Sequence, residues 1–231
     1  MADDSPEQAR LESQRDDLRL LNQVMRHDIR NDLQLIGAYA ELLEDHVDEE
    51  GEQYLDIIKE STESATKLTT TARDLARVML DTDGGNRSVS LDGVLARQVD
   101  EVRSSYPGAV ITVEEPIPNV DVVGNDMLGS VFRNLLSNAV QHNDKTPPEV
   151  ELSATEAGDH AEIRVADNGP GIPDTQKEDI FGKGEKGLDS SGAGIGLYLV
   201  QSLVETYGGD VFVENNDPEG SVFVVTLPTA E

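Results

Sequence analysis

From Leu18 to Val47 apolar residues return every third or fourth position: Leu18, Leu21, Met25, Ile29, Leu33, Ile36, Ala40, Leu43 and Val47. That spacing is one helix face carried far beyond an ordinary globular helix. It forms a heptad seam with one additional four-residue step between residues 25 and 33. A polar break follows at HVDEEGEQ, residues 46–53, and a second seam runs through Leu55, Ile58, Ala65, Leu68, Ala72, Leu75 and Met79. Two helices joined by a short polar turn make an antiparallel hairpin. A lone hairpin cannot bury both seams, so pairing of two copies into a four-helix bundle is the economical arrangement, and a homodimer is expected.

DTDGGNRS, residues 81–88, is a polar, glycine-bearing linker, and beyond it the pattern changes. Short β-rich runs occupy 110–115, 150–156, 160–168, 210–216 and 220–228, alternating with amphipathic stretches at 92–105, 125–142 and 194–207. Neighbouring runs such as 150–156 and 160–168 predict hairpins in a mixed or antiparallel sheet. The fold class is therefore α+β: an N-terminal helical hairpin followed by an α/β sandwich with helices on one face of the sheet. The expected domains are 1–82 and 89–231, with a linker at 83–88.

Composition narrows the setting. At 231 residues and 37% apolar, the chain has enough material for a real core. It has no cysteine, which excludes disulfides and thiolate metal sites. There is no apolar run long enough to span a bilayer, and the start MADDSPEQ is the opposite of a secretory leader, so a cytoplasmic protein without membrane insertion is expected. Forty-six acidic residues against eighteen basic ones give a net charge of −28, a surface that repels nucleic acid phosphate. Near molar salt the screening length shrinks to about 3 Å and such self-repulsion largely vanishes. Two readings stay open: a halophilic, salt-loving host, or an acidic surface that docks a basic partner.

Four segments carry candidate chemistry. MRHDIRNDLQ, residues 25–34, places His27 beside Asp28 with Asn31 one helical turn on; alone, a helical histidine is usually a surface or packing residue. In NLLSNAVQHN, residues 134–143, Asn134, Asn138 and Gln141 share a helix face. An amide oxygen there suits Mg²⁺ when phosphates complete the metal's shell, although asparagines on a wet face need no purpose. ADNGPGIP, residues 166–173, leaves a strand end: Gly169 and Gly171 allow close backbone approach, and Asp167 can accept a hydrogen bond from an exocyclic amine. Such pairs are also ordinary turn-formers. In GAGIGLYLV, residues 192–200, Gly192, Gly194 and Gly196 open a helix whose N-terminus favours phosphate. The dinucleotide fingerprint fails because Leu197 stands where its last glycine belongs, and no G-K-[ST] follows for a P-loop. DIFGKGEKGLDSS, residues 179–191, is polar and glycine-rich and looks like a lid.

Taken in order, H-D-x-x-N on a hairpin helix, N-L-L-S-N-A, D-N-G-P-G-I, I-F-G and G-x-G-I-G-L resemble the sensor histidine kinases of two-component signalling over about residues 20–228. The last three boxes alone are shared with gyrase and the mismatch-repair ATPases. The resemblance implies that the second domain binds ATP and Mg²⁺, that His27 is the phosphoacceptor, that Asp28 assists proton removal, and that Asn31 supports transfer or dephosphorylation. It makes Asn138 the Mg²⁺ ligand with Asn134 beside it, and Asp167 the acceptor of the adenine amine. Gly169 and Gly171 shape the pocket, Gly192, Gly194 and Gly196 hold the phosphates, and Phe181 is the lid's phenylalanine. Gln141 stands where a basic residue often serves the phosphates, so Lys183 or Lys186 supplies that charge instead. Asp32 replaces a common proline, and the second phenylalanine of the lid box is missing. The implied partners are a response-regulator receiver domain and an upstream sensor domain or protein. The competing classes are a catalytically silent dimeric nucleotide-binding scaffold and a phosphatase-biased enzyme of the same family.

Overall fold

The computed structural model describes residues 29–80, 85–182 and 195–230. The chain divides into two compact units with the boundary between residues 81 and 82. In the first, helix α1 runs through residues 29–43, a 3-10 turn follows at Glu44–His46, and helix α2 spans Glu49–Leu80. Asp48 starts α2 as a side-chain cap: its Oδ1 accepts the Gly51 N–H at 3.0 Å, satisfying a donor that the helix itself leaves unpaired. Lys59 pairs with Glu44 across the turn. Ala40 and Leu55 are buried between the helices, and Gly37 lies opposite the Thr62 methyl, so α1 and α2 approach through small side chains. Ile36, Leu43, Ile58 and Leu68 of the two seams remain more than 40% exposed. One chain therefore covers only part of the apolar pattern that the heptads announce.

The second unit holds a five-stranded sheet in the order β2 (Val110–Val113), β4 (Glu149–Ala157), β5 (His160–Asp167), β7 (Ser221–Pro228), β6 (Asp210–Asn215). The β2–β4 pair is parallel and the other three are antiparallel, which makes the sheet mixed. Alternation turns Val150, Leu152 and Ala154 of β4, Ala161, Ile163 and Val165 of β5, and Val211 and Val213 of β6 into the core. There they meet helices α4 (Leu128–Gln141) and α5 (Gly196–Thr206), while α3 (Leu91–Ser105) packs on β2 and against α4. Phe132, Leu135, Leu136, Leu199 and Leu203 are at most 1% exposed, each contributing about 1.5–3 kcal/mol by leaving water. This packing fixes the end of β5 beside the C-terminal half of α4.

Two strands were not announced by the sequence. Strand β1 (Arg87–Ser90) pairs antiparallel with β3 (Asp121–Gly124), so Arg87 and Ser88, read as linker, already belong to the folded unit. Strands of four residues, RSVS and DVVG, are too short to show a period. Their signal is local capping: Ser90 closes β1 by accepting the Gly93 N–H at the start of α3. Among the described residues no helix is long and apolar enough to cross a membrane.

Candidate nucleotide site

On α4 the amide of Asn134 is 5% exposed, and its Nδ2 donates to the Ser130 carbonyl at 2.7 Å. That bond turns Oδ1 the other way, to 3.1 Å from where a side chain at Gly196 would begin. Only glycine leaves this gap open between α4 and the first turn of α5. Ile195, at the N-cap position of α5, offers no side-chain acceptor to the leading N–H groups. Asn138 follows one turn along α4, half-buried. Gln141, a turn further, donates to the Tyr106 hydroxyl at 2.5 Å.

Asp167 closes β5 and is 9% exposed. Its Oδ1 accepts the Gly169 N–H at 2.9 Å and the Ser221 N–H at 3.2 Å. Oδ2 receives no donor from the described residues. Burial pushes the carboxyl above the usual carboxylate range, and the two N–H groups oppose that shift. An acceptor-only oxygen in a nearly closed corner is chemically matched to an amine donor from a flat heterocycle. After it the chain turns at Gly171, whose φ of +75° and 3.1 Å clearance from the Gly220 carbonyl exclude a side chain. Asn143, beyond the end of α4, donates to Asn168 Oδ1 at 2.8 Å, and the same oxygen accepts the Glu149 N–H at 3.0 Å. These bonds stitch the loop after α4 to the turn after β5.

Phe181 sits on a 3-10 turn, Asp179–Phe181, and is 5% exposed. Its ring meets Phe223 of β7 edge to face at 6.3 Å, so it anchors the segment into the core. Asn31 is exposed on α1 in the other unit. His27, Asp28, Lys183, Lys186, Gly192 and Gly194 lie outside the described residues. Among the described residues no group of three His, Cys, Asp or Glu side chains could hold a metal.

Residues 124–231 match the family described as histidine kinase-, DNA gyrase B- and HSP90-like ATPase, and residues 17–79 match the His Kinase A phospho-acceptor domain. The chain thus carries a region similar to each of these two families, the phospho-acceptor-like one first. The sensor protein KdpD of Escherichia coli is 29% identical over 97% of this chain and 26% of its own length. The sensor-type histidine kinase PrrB of Mycobacterium tuberculosis is 30% identical over 89% of this chain and 46% of its own. The chain thus spans between a quarter and a half of these relatives. Full-length ShkA, solved in complex with AMPPNP, superposes with a TM-score of 0.62 at 26% identity, covering 91% of this chain and 46% of that one.

Of the expected residues, Asn134, Asn138, Asp167, Gly169, Gly171 and Gly196 all lie in the second unit, around α4, the end of β5 and the start of α5. Sequence reasoning missed Asn143, Asn168, Asn216, Gly220 and Ser221. The N-D-P-E-G composition of residues 216–220 marks a turn. Nothing local says that this turn folds onto a carboxylate about fifty residues earlier.

Proposed function

We propose that the chain is an ATP-dependent protein histidine kinase that autophosphorylates His27 and passes the phosphoryl group to an aspartate of a response-regulator receiver domain. The observation that carries the reading is Asp167, an acceptor held by two backbone N–H groups with its second oxygen left for an amine, in a chain that also matches a phosphoacceptor domain. Imidazole with a pKa near 6.5 is largely neutral at cytoplasmic pH. One of its nitrogens bonds to the γ-phosphorus as the bond to the bridging oxygen breaks, and ADP departs. Asn31, one turn from His27, orients a phosphoryl oxygen or a water; Asp28 takes its proton role from the family resemblance. Mg²⁺, when bound, neutralises the phosphates. Gln141 is engaged with Tyr106, so Lys183 or Lys186 supplies positive charge. The exposed seam residues support a homodimer, and an upstream sensor domain or protein supplies the stimulus.

The test is incubation with γ-labelled ATP and Mg²⁺. Wild type should acquire acid-labile, alkali-stable label; His27→Gln should acquire none, and Asn138→Ala should lose at least 100-fold in rate, on the order of 3 kcal/mol. Nucleotide binding without label under every condition would replace the kinase with a silent scaffold.

A further inference from the structure

The turn between β6 and β7 belongs to none of the motifs, yet it touches the end of β5 and the glycine turn that follows it. Asn216 Nδ2 donates to the Asp167 carbonyl at 2.8 Å, and the Ser221 N–H reaches the same residue's carboxylate at 3.2 Å. Gly220, at φ +121°, lies so near that a side chain there would overlap the Asp167 carbonyl. Two ion-assisted contacts extend the bracket: Lys145, after α4, reaches Glu219 at 2.9 Å, and Lys177, on the approach to Phe181, donates to Asn215 Oδ1 at 2.7 Å.

Of these contacts, Asn216 alone holds Asp167 by its main chain through a side chain. The Ser221 N–H fixes one carboxylate oxygen, but the direction of the other depends on where the Asp167 backbone stands. Asn216 anchors itself at the same time: its N–H donates to the Gly220 carbonyl at 3.0 Å, and its Oδ1 accepts the Asp217 N–H at 3.0 Å. The amide is thereby oriented with its NH₂ toward Asp167, and an Asp at this position would set oxygen against the carbonyl oxygen.

We propose that Asn216 is a positioning residue that aims Asp167 at the amine of the base, so that the β6–β7 turn sets nucleobase discrimination. This rests on the ATP-binding reading above. A residue that aims the acceptor should change the discrimination between bases, whereas one that only holds the fold should weaken all nucleotides alike.

The experiment titrates the full chain with Mg-ATP and with the Mg-triphosphate of purine riboside, which lacks the amine, for wild type, Asn216→Ala and Asn216→Asp, with thermal melting alongside. Expected is a loss of about three- to tenfold in ATP affinity for both variants, larger for Asn216→Asp, with purine riboside triphosphate binding unchanged. An unaltered affinity ratio, whether both ligands weaken together or neither does, overturns the positioning role while leaving ATP binding by wild type intact. Failure of wild type to bind ATP overturns the kinase reading, and this proposal with it.

Discussion

Asp167 faces two demands that conflict. In the proposed role it accepts from an amine most strongly when ionised, while its burial favours the neutral form and raises its pKa above the ordinary 3.8. The sign of the stability effect follows. A raised folded pKa means that the ionised side chain costs stability at neutral pH; the cost falls away as pH drops through the folded value and is gone below the unfolded one. Nucleotide affinity runs the opposite way, because protonation replaces an acceptor with a donor. Asp167→Asn should therefore lower ATP affinity at least tenfold at neutral pH while leaving the melting temperature unchanged or higher. The difference in melting temperature between variant and wild type should shrink as pH is lowered. Calorimetric titration and melting curves across pH measure both. An Asp167→Asn protein that loses stability at neutral pH would mean that its two N–H bonds outweigh its burial. This residue was legible from its place before Asn-Gly at a strand end, whereas its partner Asn216 was not, because the contact spans 49 positions.

Among the elements, α5 shows how a helix end can be read. Gly208 takes φ +79°, its N–H reaches the Glu205 carbonyl at 3.0 Å, and the Gly209 N–H reaches Val204 at 3.0 Å, together closing the last turn with a left-handed glycine. Gly208→Ala should cost about 1 kcal/mol from the positive φ alone. Gly209→Ala should cost more, on the order of 2 kcal/mol or above, since its side chain would overlap the Thr226 carbonyl of β7. Chemical denaturation ranks the two; equal costs would mean that the backbone at Gly209 yields freely. The strands β4, β5 and β6 were visible because each alternates between a buried and a more exposed face, and β7 because it is a nearly continuous apolar run buried on both faces. Strands β1 and β3 were hidden by shortness. The hairpin was visible for a related reason, since its seam repeats over many turns. Ile58, 42% exposed in one chain, lies in that seam. Ile58→Glu should convert a dimer to monomer in sedimentation at micromolar concentration, because a charge brought into a bundle core must be desolvated. A dimer of unchanged affinity would put the contact on another face.

At the scale of the whole molecule the dominant fact is the net charge of −28. The ion pairs of the second unit are surface contacts such as Arg164 with Glu162 and Glu214, half-exposed and individually worth under about 1 kcal/mol. Eighteen basic residues cannot neutralise forty-six acidic ones however they are arranged, so the remaining carboxylates repel one another across the folded surface more than across an expanded chain. Screening relieves that repulsion over a definite range: the Debye length is about 10 Å at 0.1 M salt and about 3 Å at 1 M. Melting temperature should therefore climb steeply between 0.1 and 1 M sodium chloride and then flatten, as screening shortens below the spacing of neighbouring charges. Sulfate at equal ionic strength should match chloride over the steep part and exceed it only afterwards, where exclusion from apolar surface takes over. A rise that starts linear, never flattens and is larger in sulfate from the outset would assign the effect to apolar burial, and the acidic surface would then have no part in setting the stability of this fold.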